Sequence, residues 1–428
     1  MSTPARQRLP RLALVLAAAT LLLSITGSAP ANPRIPPRTG FESRHGASWT
    51  TQPEELSFLT AVRQRSSRVS VDTIGTTRQG RPLRLVRIGE ARANVLLLIC
   101  SQHGDEPAGR EACLTTIRDL AFGRDAATRR LLATTTVLVL PTANPDGLAL
   151  ERRTNSENAD INRDHLVLRT AEARAIAGVI RDHHPDLVYD LHEYHANEPV
   201  YGKDVLSLWP RHAGVVADLH DASESLATDY IRPAAERAGF STGVYGIWTD
   251  PDTGEPLRQV AGDGQERILR NTAGLKHAAA VLVETRINPA GRVRQGAVVN
   301  NRRVATQLAA LRGALAFEAA EGATMSAASA AAWEGDGGTG PLYLGGADND
   351  PPRRGATLTE PLCGYRLDAE QFAEVRERLA LHGIRVRPAK DDGAFVPLRQ
   401  PLRALVPLLL DKRAAFHLTE AAPLRTCS

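Results

Sequence analysis

The 428-residue sequence predicts an α/β fold, a mostly parallel mixed sheet flanked by helices, with a small C-terminal α/β appendage. Three observations predict it. The continuous apolar run at 95–100 reads as a strand buried on both faces, the pattern of parallel sheets, and further strands are expected at 134–143, 187–194 and 278–285. Segments of helical length at 107–122, 171–182 and 213–238 separate those runs, as crossover connections require. Residues able to do chemistry gather where the apolar runs end, the edge at which open α/β sheets bind ligands.

In chain order, residues 1–31 read as an export signal. Arg6, Arg8 and Arg11 form a basic start, 12–25 is apolar, and Ala29-Pro30-Ala31 is a small-residue cleavage site. The apolar run is short of the roughly 20 residues a helix needs to span a bilayer, which disfavours an uncleaved anchor. No Cys near the cleavage site suggests lipidation. No Arg-Arg pair precedes the run, so the general secretory route is expected over twin-arginine export. No membrane span is expected in the mature chain, which would be secreted or periplasmic.

Residues 32–50 contain Pro, Gly and Ser and read as a flexible lead-in. An amphipathic helix is expected at 54–65. Strands at 69–74 and 83–88 flank the turn residues 75–80 and predict a hairpin. The alternation then runs to a helix at 299–317, with Pro107 placed for a first helical turn. Residues 51–320 thus read as one α/β domain. Beyond it, a run of Ala, Ser, Gly and Asp closed by Pro351-Pro352 reads as a linker, 321–352. Residues 353–428 show strand, helix (369–382) and strand signals, the last at 401–410. This small C-terminal α/β domain has no catalytic constellation of its own.

Composition narrows the classes further. At 43% hydrophobic and 23% charged the chain is ordinary globular material, not disordered, collagenous or coiled-coil. The net charge is +4, and removing the three arginines of the first 31 residues, which hold no acid, leaves +1. No basic run interleaved with aromatics occurs, so no nucleic-acid partner is expected. Of the four cysteines, Cys363 and Cys427 share the C-terminal piece and are paired on that ground. Cys100 and Cys113 are expected as buried free thiols.

Four stretches carry chemistry. Ser101-Gln102-His103-Gly104-Asp105-Glu106-Pro107 follows a buried strand and opens a helix. A His and a Glu three apart in such a turn can reach one metal, though capping would also account for them. Asp190-Leu191-His192-Glu193-Tyr194-His195 ends another strand and brings a further imidazole to the same edge. Strand alternation places His192 and His195 on opposite faces, so one of them fits. Two His and one Glu form a catalytic zinc set with one position open, whereas a structural site would be closed and normally include Cys. Glu284 ends the apolar strand at 278–285, where an unpaired charge is costly. A general base explains it, and an ion pair with Arg286 is the bland alternative. The fourth stretch joins Arg152-Arg153-Thr154-Asn155 to Asp160-Ile161-Asn162-Arg163-Asp164. An arginine there suits a developing oxyanion, and Arg163 beside Asn162 suits a carboxylate.

Taken together and in this order, the stretches resemble the carboxypeptidase A-like zinc metallocarboxypeptidase family, from about Pro53 to Ala320. Gly75-Thr76-Thr77-Arg78-Gln79-Gly80-Arg81-Pro82-Leu83 is similar to its early hairpin. Asn144-Pro145-Asp146-Gly147 is similar to its N-P-D-G turn, and Asp160-Ile161-Asn162-Arg163 to its carboxylate-binding motif. The resemblance implies one zinc per chain on His103, Glu106 and His192. It implies Glu284 as general base for a zinc-activated water, and Arg153 rather than Arg152 for the oxyanion. Asn162 and Arg163 would bind the substrate's terminal carboxylate. The implied activity is removal of C-terminal residues from peptides. The alternatives are a peptidoglycan peptide amidase or endopeptidase, an N-acyl amino acid deacylase, or a non-catalytic binding protein on this fold. The partner is accordingly a peptide or a cell-wall peptide. The family's substrate-contacting Tyr has no counterpart in 249–276, and Tyr245 is too far upstream by spacing.

Overall fold

The alternation of apolar runs and helices becomes an eight-stranded mixed sheet with helices on both faces. A computed structural model of the chain describes residues 35–288, 296–335, 340–359 and 362–426. Ten strands precede the long helix: β1 Val69–Thr76, β2 Pro82–Ile88, β3 Asn94–Cys100, β4 Thr135–Leu140, β5 Leu187–Tyr194, β6 Val205–Leu208, β7 Thr242–Val244, β8 Ile247–Thr249, β9 Pro256–Gln259 and β10 Ala279–Arg286. β8 and β9 form a separate hairpin, and the others lie in the order β1-β2-β4-β3-β5-β10-β6-β7. The four central strands β4, β3, β5 and β10 run parallel. β1 pairs with β2 as the predicted antiparallel hairpin. The export signal expected at 1–31 lies outside the described residues. No helix among the described residues is long and apolar enough to cross a membrane.

Period-2 alternation sorts each central strand between two cores. Leu96, Leu98, Val137, Val139, Leu187 and Val281 face one core, with the Pro107–Phe122 and Ala297–Glu334 helices packed on them. Leu97, Ile99, Leu138, Leu140 and Val188 face the other, under the Ala171–His183 and Leu269–Leu275 helices. The connection from β3 to β4 leaves on one side of β3, and β5 lies on its other side. That reversal opens a crevice between β3 and β5 at their C-terminal ends, where such sheets bind ligands.

Three expectations are corrected. Cys100 and Cys113 are not free thiols but a disulfide, with Cα atoms 6.7 Å apart. Cys100 sits on the strand face that the Pro107–Phe122 helix covers, and Cys113 lies on that helix's inner side, so the two meet across the core. The pairing of Cys363 with Cys427 rests on a residue outside the described ones. The helix expected at 299–317 does not stop there but runs from Ala297 to Glu334, into the segment read as linker. Its Ala-rich sequence is strongly helix-forming, and Met325 is buried in the main core. The strand signal at 401–410 is instead the helix Leu405–Leu410.

The chain divides into Met1–Ile35 and Pro36–Ser428, and both larger sheets lie in the second unit. The C-terminal piece is a four-stranded antiparallel sheet with the Ala369–His382 helix. It shares a core with Leu166 and Leu275. His382 Nε2 donates to the Leu166 carbonyl at 2.8 Å, so the appendage braces the loop that carries Asn162 and Arg163.

The long helix also buries a carboxylate. Glu318 accepts from Thr135 Oγ1 at 3.0 Å, its Oε2 has no partner, and burial pushes its carboxyl up to about 7. Unfolding returns it to an ordinary carboxyl near 4.3, so the fold binds an extra proton between those values. Stability therefore falls as pH rises through that window. Glu318→Gln keeps an oxygen for Thr135 and removes the cost. It should add about 1–3 kcal/mol at pH 8 and little at pH 4.5. Urea unfolding at both pH values checks this, and an equal change at both would mean the carboxyl is not held neutral.

Candidate active site

Two parallel strands and one turn build the centre of the crevice. β5 and β10 pair in the register His192↔Glu284, so these side chains project from neighbouring positions on one face. His103 and Glu106 come from the turn between β3 and the Pro107–Phe122 helix. That turn is held by a close backbone approach. A Cβ on Gly104 would lie 2.0 Å from the Gly147 carbonyl carbon, and Gly104 N donates to Arg152 O at 3.0 Å. Only glycine fits there. The early hairpin joins the same scaffold, because Thr77 Oγ1 and Arg81 Nη1 both donate to Asp146 Oδ1 at 2.8 Å.

His103, Glu106 and His192 converge, with ligand atoms all within 4.8 Å of one another. His103 Nδ1 lies 2.7 Å from Glu106 Oε1, and His192 Nδ1 lies 2.9 Å from Oε2 of the same carboxylate. The far ring nitrogens have carboxylates of their own. His192 Nε2 lies 2.9 Å from Asp190 Oδ2 and 3.0 Å from Asn162 Nδ2, and His103 Nε2 lies 3.2 Å from Asp160 Oδ1. The two Nδ1 atoms face inward, 3.1 Å apart, and a proton kept on each Nε2 beside its carboxylate would leave both Nδ1 lone pairs for a cation. Two basic nitrogens and a carboxylate turned on one point fit a cation, and this nitrogen and oxygen set suits zinc. The electrostatics agree. Burial lowers the His192 imidazole, but Asp190 and Glu106 outweigh it and raise it well above its ordinary value. The surroundings stabilise positive charge at this spot.

Glu284 is 7% exposed, and its Oε2 has no hydrogen-bond partner among the described residues. Burial, and then the nearby Glu106 charge, push its carboxyl up to about 7. The ion pair with Arg286 does not form. Arg286 instead bonds to the Gly202 carbonyl at 2.7 Å and pairs with Glu198. Glu284, His103, His192, Arg153, Asn162 and Arg163 all line one cavity of about 230 Å³.

The other sequence candidates fall into place around it. Arg153 lines the cavity, with Nε donating to Asp160 Oδ2 at 3.0 Å and Nη1 3.5 Å from Glu106 Oε1. Arg152 instead bonds to the Asn155 carbonyl at 2.5 Å. Arg163 is half-buried, and its Nη1 donates to the Asn162 carbonyl at 2.8 Å. Asn162 departs from the expected carboxylate fork. Its Oδ1 accepts from Leu269 N at 2.9 Å, and its Nδ2 donates to Asp190 Oδ2 at 3.2 Å. Both ends of that amide are occupied inside the fold. His195 is exposed and stays outside the cluster. Glu193 is a buried partner of Arg303, at 2.7 Å.

Sequence reasoning missed several members. Gln102 donates to Asp190 Oδ1 at 2.7 Å and accepts from His165 at 2.7 Å, so a polar chain backs His192. Gln102 adjoins His103 in sequence and Asp190 stands two residues before His192, a signal that was available. Tyr245, set aside on spacing, lines the cavity, as do Asp263 and Arg270. These come from irregular connections and a short helix, where no periodicity points at the site.

Comparison with known proteins agrees with the geometry. Residues 56–304, more than half of the chain, match the profile of the family described as zinc carboxypeptidase. Carboxypeptidase 2 of Trichophyton tonsurans is 31% identical over 191 residues, 43% of this chain and 35% of that protein. Carboxypeptidase SOL1 of Arabidopsis thaliana is 31% identical over 137 residues, 28% of each chain. The chain thus spans about a third of the length of the curated relatives it matches. A solved structure from Burkholderia mallei, assigned as a carboxypeptidase, superposes with a TM-score of 0.50 at 20% identity, covering 62% of this chain and 67% of the other. That likeness bears on the fold alone.

Proposed function

The chain belongs to the zinc carboxypeptidase family, and from that premise we propose that it is a zinc-dependent metallocarboxypeptidase removing C-terminal residues from peptides. One observation carries the reading. A buried carboxylate oxygen with no partner, on Glu284, shares a small cavity with the inward-facing His103, Glu106 and His192 donors and with Arg163. A binding protein would gain nothing from leaving that charge unpaired.

Zinc held by His103, Glu106 and His192 would supply Lewis acidity to the hydrolytic water and the scissile carbonyl. Glu284 takes the water proton on its carboxylate as attack begins and then delivers it to the leaving amine nitrogen. With no hydrogen-bond partner for its Oε2 among the described residues, that carboxylate is free to take the proton and to return it. Arg153 faces the negative charge that grows on the carbonyl oxygen. Arg163 receives the terminal carboxylate. Asn162 holds Asp190, which fixes the ring of His192. The domain roles given above, a catalytic domain that begins at 51 and an accessory one at 353–428, are part of the proposal, with the limit at 320 moved to the end of the helix at Glu334. So is export through residues 1–31.

Metal content and a paired substrate panel test it. The purified protein should hold about one zinc per chain and cleave blocked dipeptides with a free C-terminus in preference to their amides. Arg163→Ala removes no ligand and should keep the metal. It should weaken free-acid substrates by roughly 1.5–3 kcal/mol, the scale of a hydrogen bond to a charged group, and so collapse their advantage over amides. Lys should rescue only in part, since a point charge lacks the planar fork. Equal cleavage of free-acid and amidated peptides by the wild type would replace the exopeptidase with an endopeptidase or amidase.

A further inference from the structure

The cavity holds one more cation than the reaction uses. Arg153, Arg163 and Arg270 all line it. Arg153 is paired with Asp160 and faces the carbonyl oxygen, and Arg163 is taken by the terminal carboxylate. Arg270 has neither role.

Arg270 is 1% exposed. Its Nη2 donates to the backbone carbonyl of Asp263 at 2.7 Å, and its Nε is buried with no partner. No carboxylate pairs with it among the described residues. A buried guanidinium without a counter-charge is costly unless something supplies one. Burial draws its pKa down only to about 10, so it stays charged at neutral pH. Asp263 does not meet the need, because its carboxylate accepts from Gln265 N at 3.2 Å and Gln265 Nε2 at 2.7 Å. Around Arg270 the wall is completed by Tyr245, Ile268 and Leu282, which would enclose the methylenes of a short side chain.

A C-terminal residue whose α-carboxylate is held by Arg163 has one other place for an anion, its side chain. We propose that Arg270 is a specificity residue that selects peptides ending in Glu or Asp. This rests on the carboxypeptidase reading of the site. A basic side chain drawn by Asp263 is the opposite case, and it would have to lie against Arg270 in the same cavity.

The test compares kcat/KM of the zinc-loaded full chain for blocked dipeptides ending in Glu, Gln, Leu or Lys, all as free acids. Glu should exceed Gln, its uncharged near-isostere, by about 10-fold or more, and Lys should be poorest. Arg270→Gln should lose about 10- to 100-fold on the Glu substrate and far less on the Gln substrate, so the Glu-to-Gln ratio inverts. Arg270→Lys should fall between. Should Arg270→Gln fail to fold, product inhibition of the wild type decides the matter. Free glutamate should then inhibit at a concentration about 10-fold lower than free glutamine. Wild-type cleavage of the Leu or Lys substrate as fast as the Glu one overturns the proposal and leaves the carboxypeptidase reading standing. An equal loss on all free-acid substrates in Arg270→Gln also overturns it, because Arg270 would then hold the α-carboxylate. If no free-acid peptide is cut at all, the underlying reading fails and takes this one with it.

Discussion

His192→Ala should strip the protein of both metal and activity. The substitution removes one of three donors, and what it leaves behind is also costly. Asp190, fully buried, loses the imidazole 2.9 Å from its Oδ2. His103 and Glu106 lose the third point that closes their triangle. Loss of an outer-shell partner alone typically weakens a metal site by about 10- to 100-fold, and loss of a ligand should exceed that. After dialysis the variant should hold essentially no zinc by mass spectrometry, and hydrolysis should fall to background. His195→Ala is the control, three residues away and exposed. It should keep both zinc and turnover. The opposite pattern, with His195→Ala losing metal and His192→Ala keeping it, would assign the third ligand wrongly. Circular dichroism on both variants separates ligand loss from unfolding.

That contrast also shows what a sequence can carry. His192 and His195 are three apart where a strand is expected, so alternation has them face opposite ways, and His195 in fact falls one residue past the end of β5. The apolar residues 187–189 before His192 then say which strand it ends. Apolar stretches found β3, β4, β5 and β10, because a strand buried on both faces is mostly apolar and its few polar residues stand out near its C-terminal end. They found His103 and Glu106 because these stand directly after such a strand. Where burial is decided by distant chain, the signal vanishes. Arg270 lies on the Leu269–Leu275 helix, every residue of which is buried, so no periodicity marks one side chain as special. Tyr245 reaches the cavity from the end of a short edge strand, at a spacing only the folded loop explains. Cys100 and Cys113 each looked like core residues and are. That they face each other depends on how the Pro107–Phe122 helix lies on the sheet. The 319–334 stretch misled for a different reason. Its Ala and Ser composition resembles a linker, yet Ala is the strongest helix former, and the buried faces of Met325 and Ser329 make it part of the fold.

Glu284→Gln should leave the metal in place and lower turnover by about 10²-fold or more, the lower range of what a positioned general base contributes. Gln matches Glu in shape and can still occupy the end of β10, but it cannot accept a proton from water. Because Glu284 is not among the three converging donors, zinc content should equal that of the wild type. The loss should appear in kcat, with KM for a free-acid peptide changed little, since the terminal carboxylate is held elsewhere. Stability gives a second readout that a structural role would move the other way. If Glu284 anchored an ion pair, Gln would break it and lower the unfolding midpoint. An unpartnered buried carboxylate contributes no such anchor, and neutralising it should hold or raise the midpoint, as removal of a strained functional group commonly does. Near-normal turnover together with a lowered midpoint would make Glu284 a structural residue, and the proton transfer would need another base.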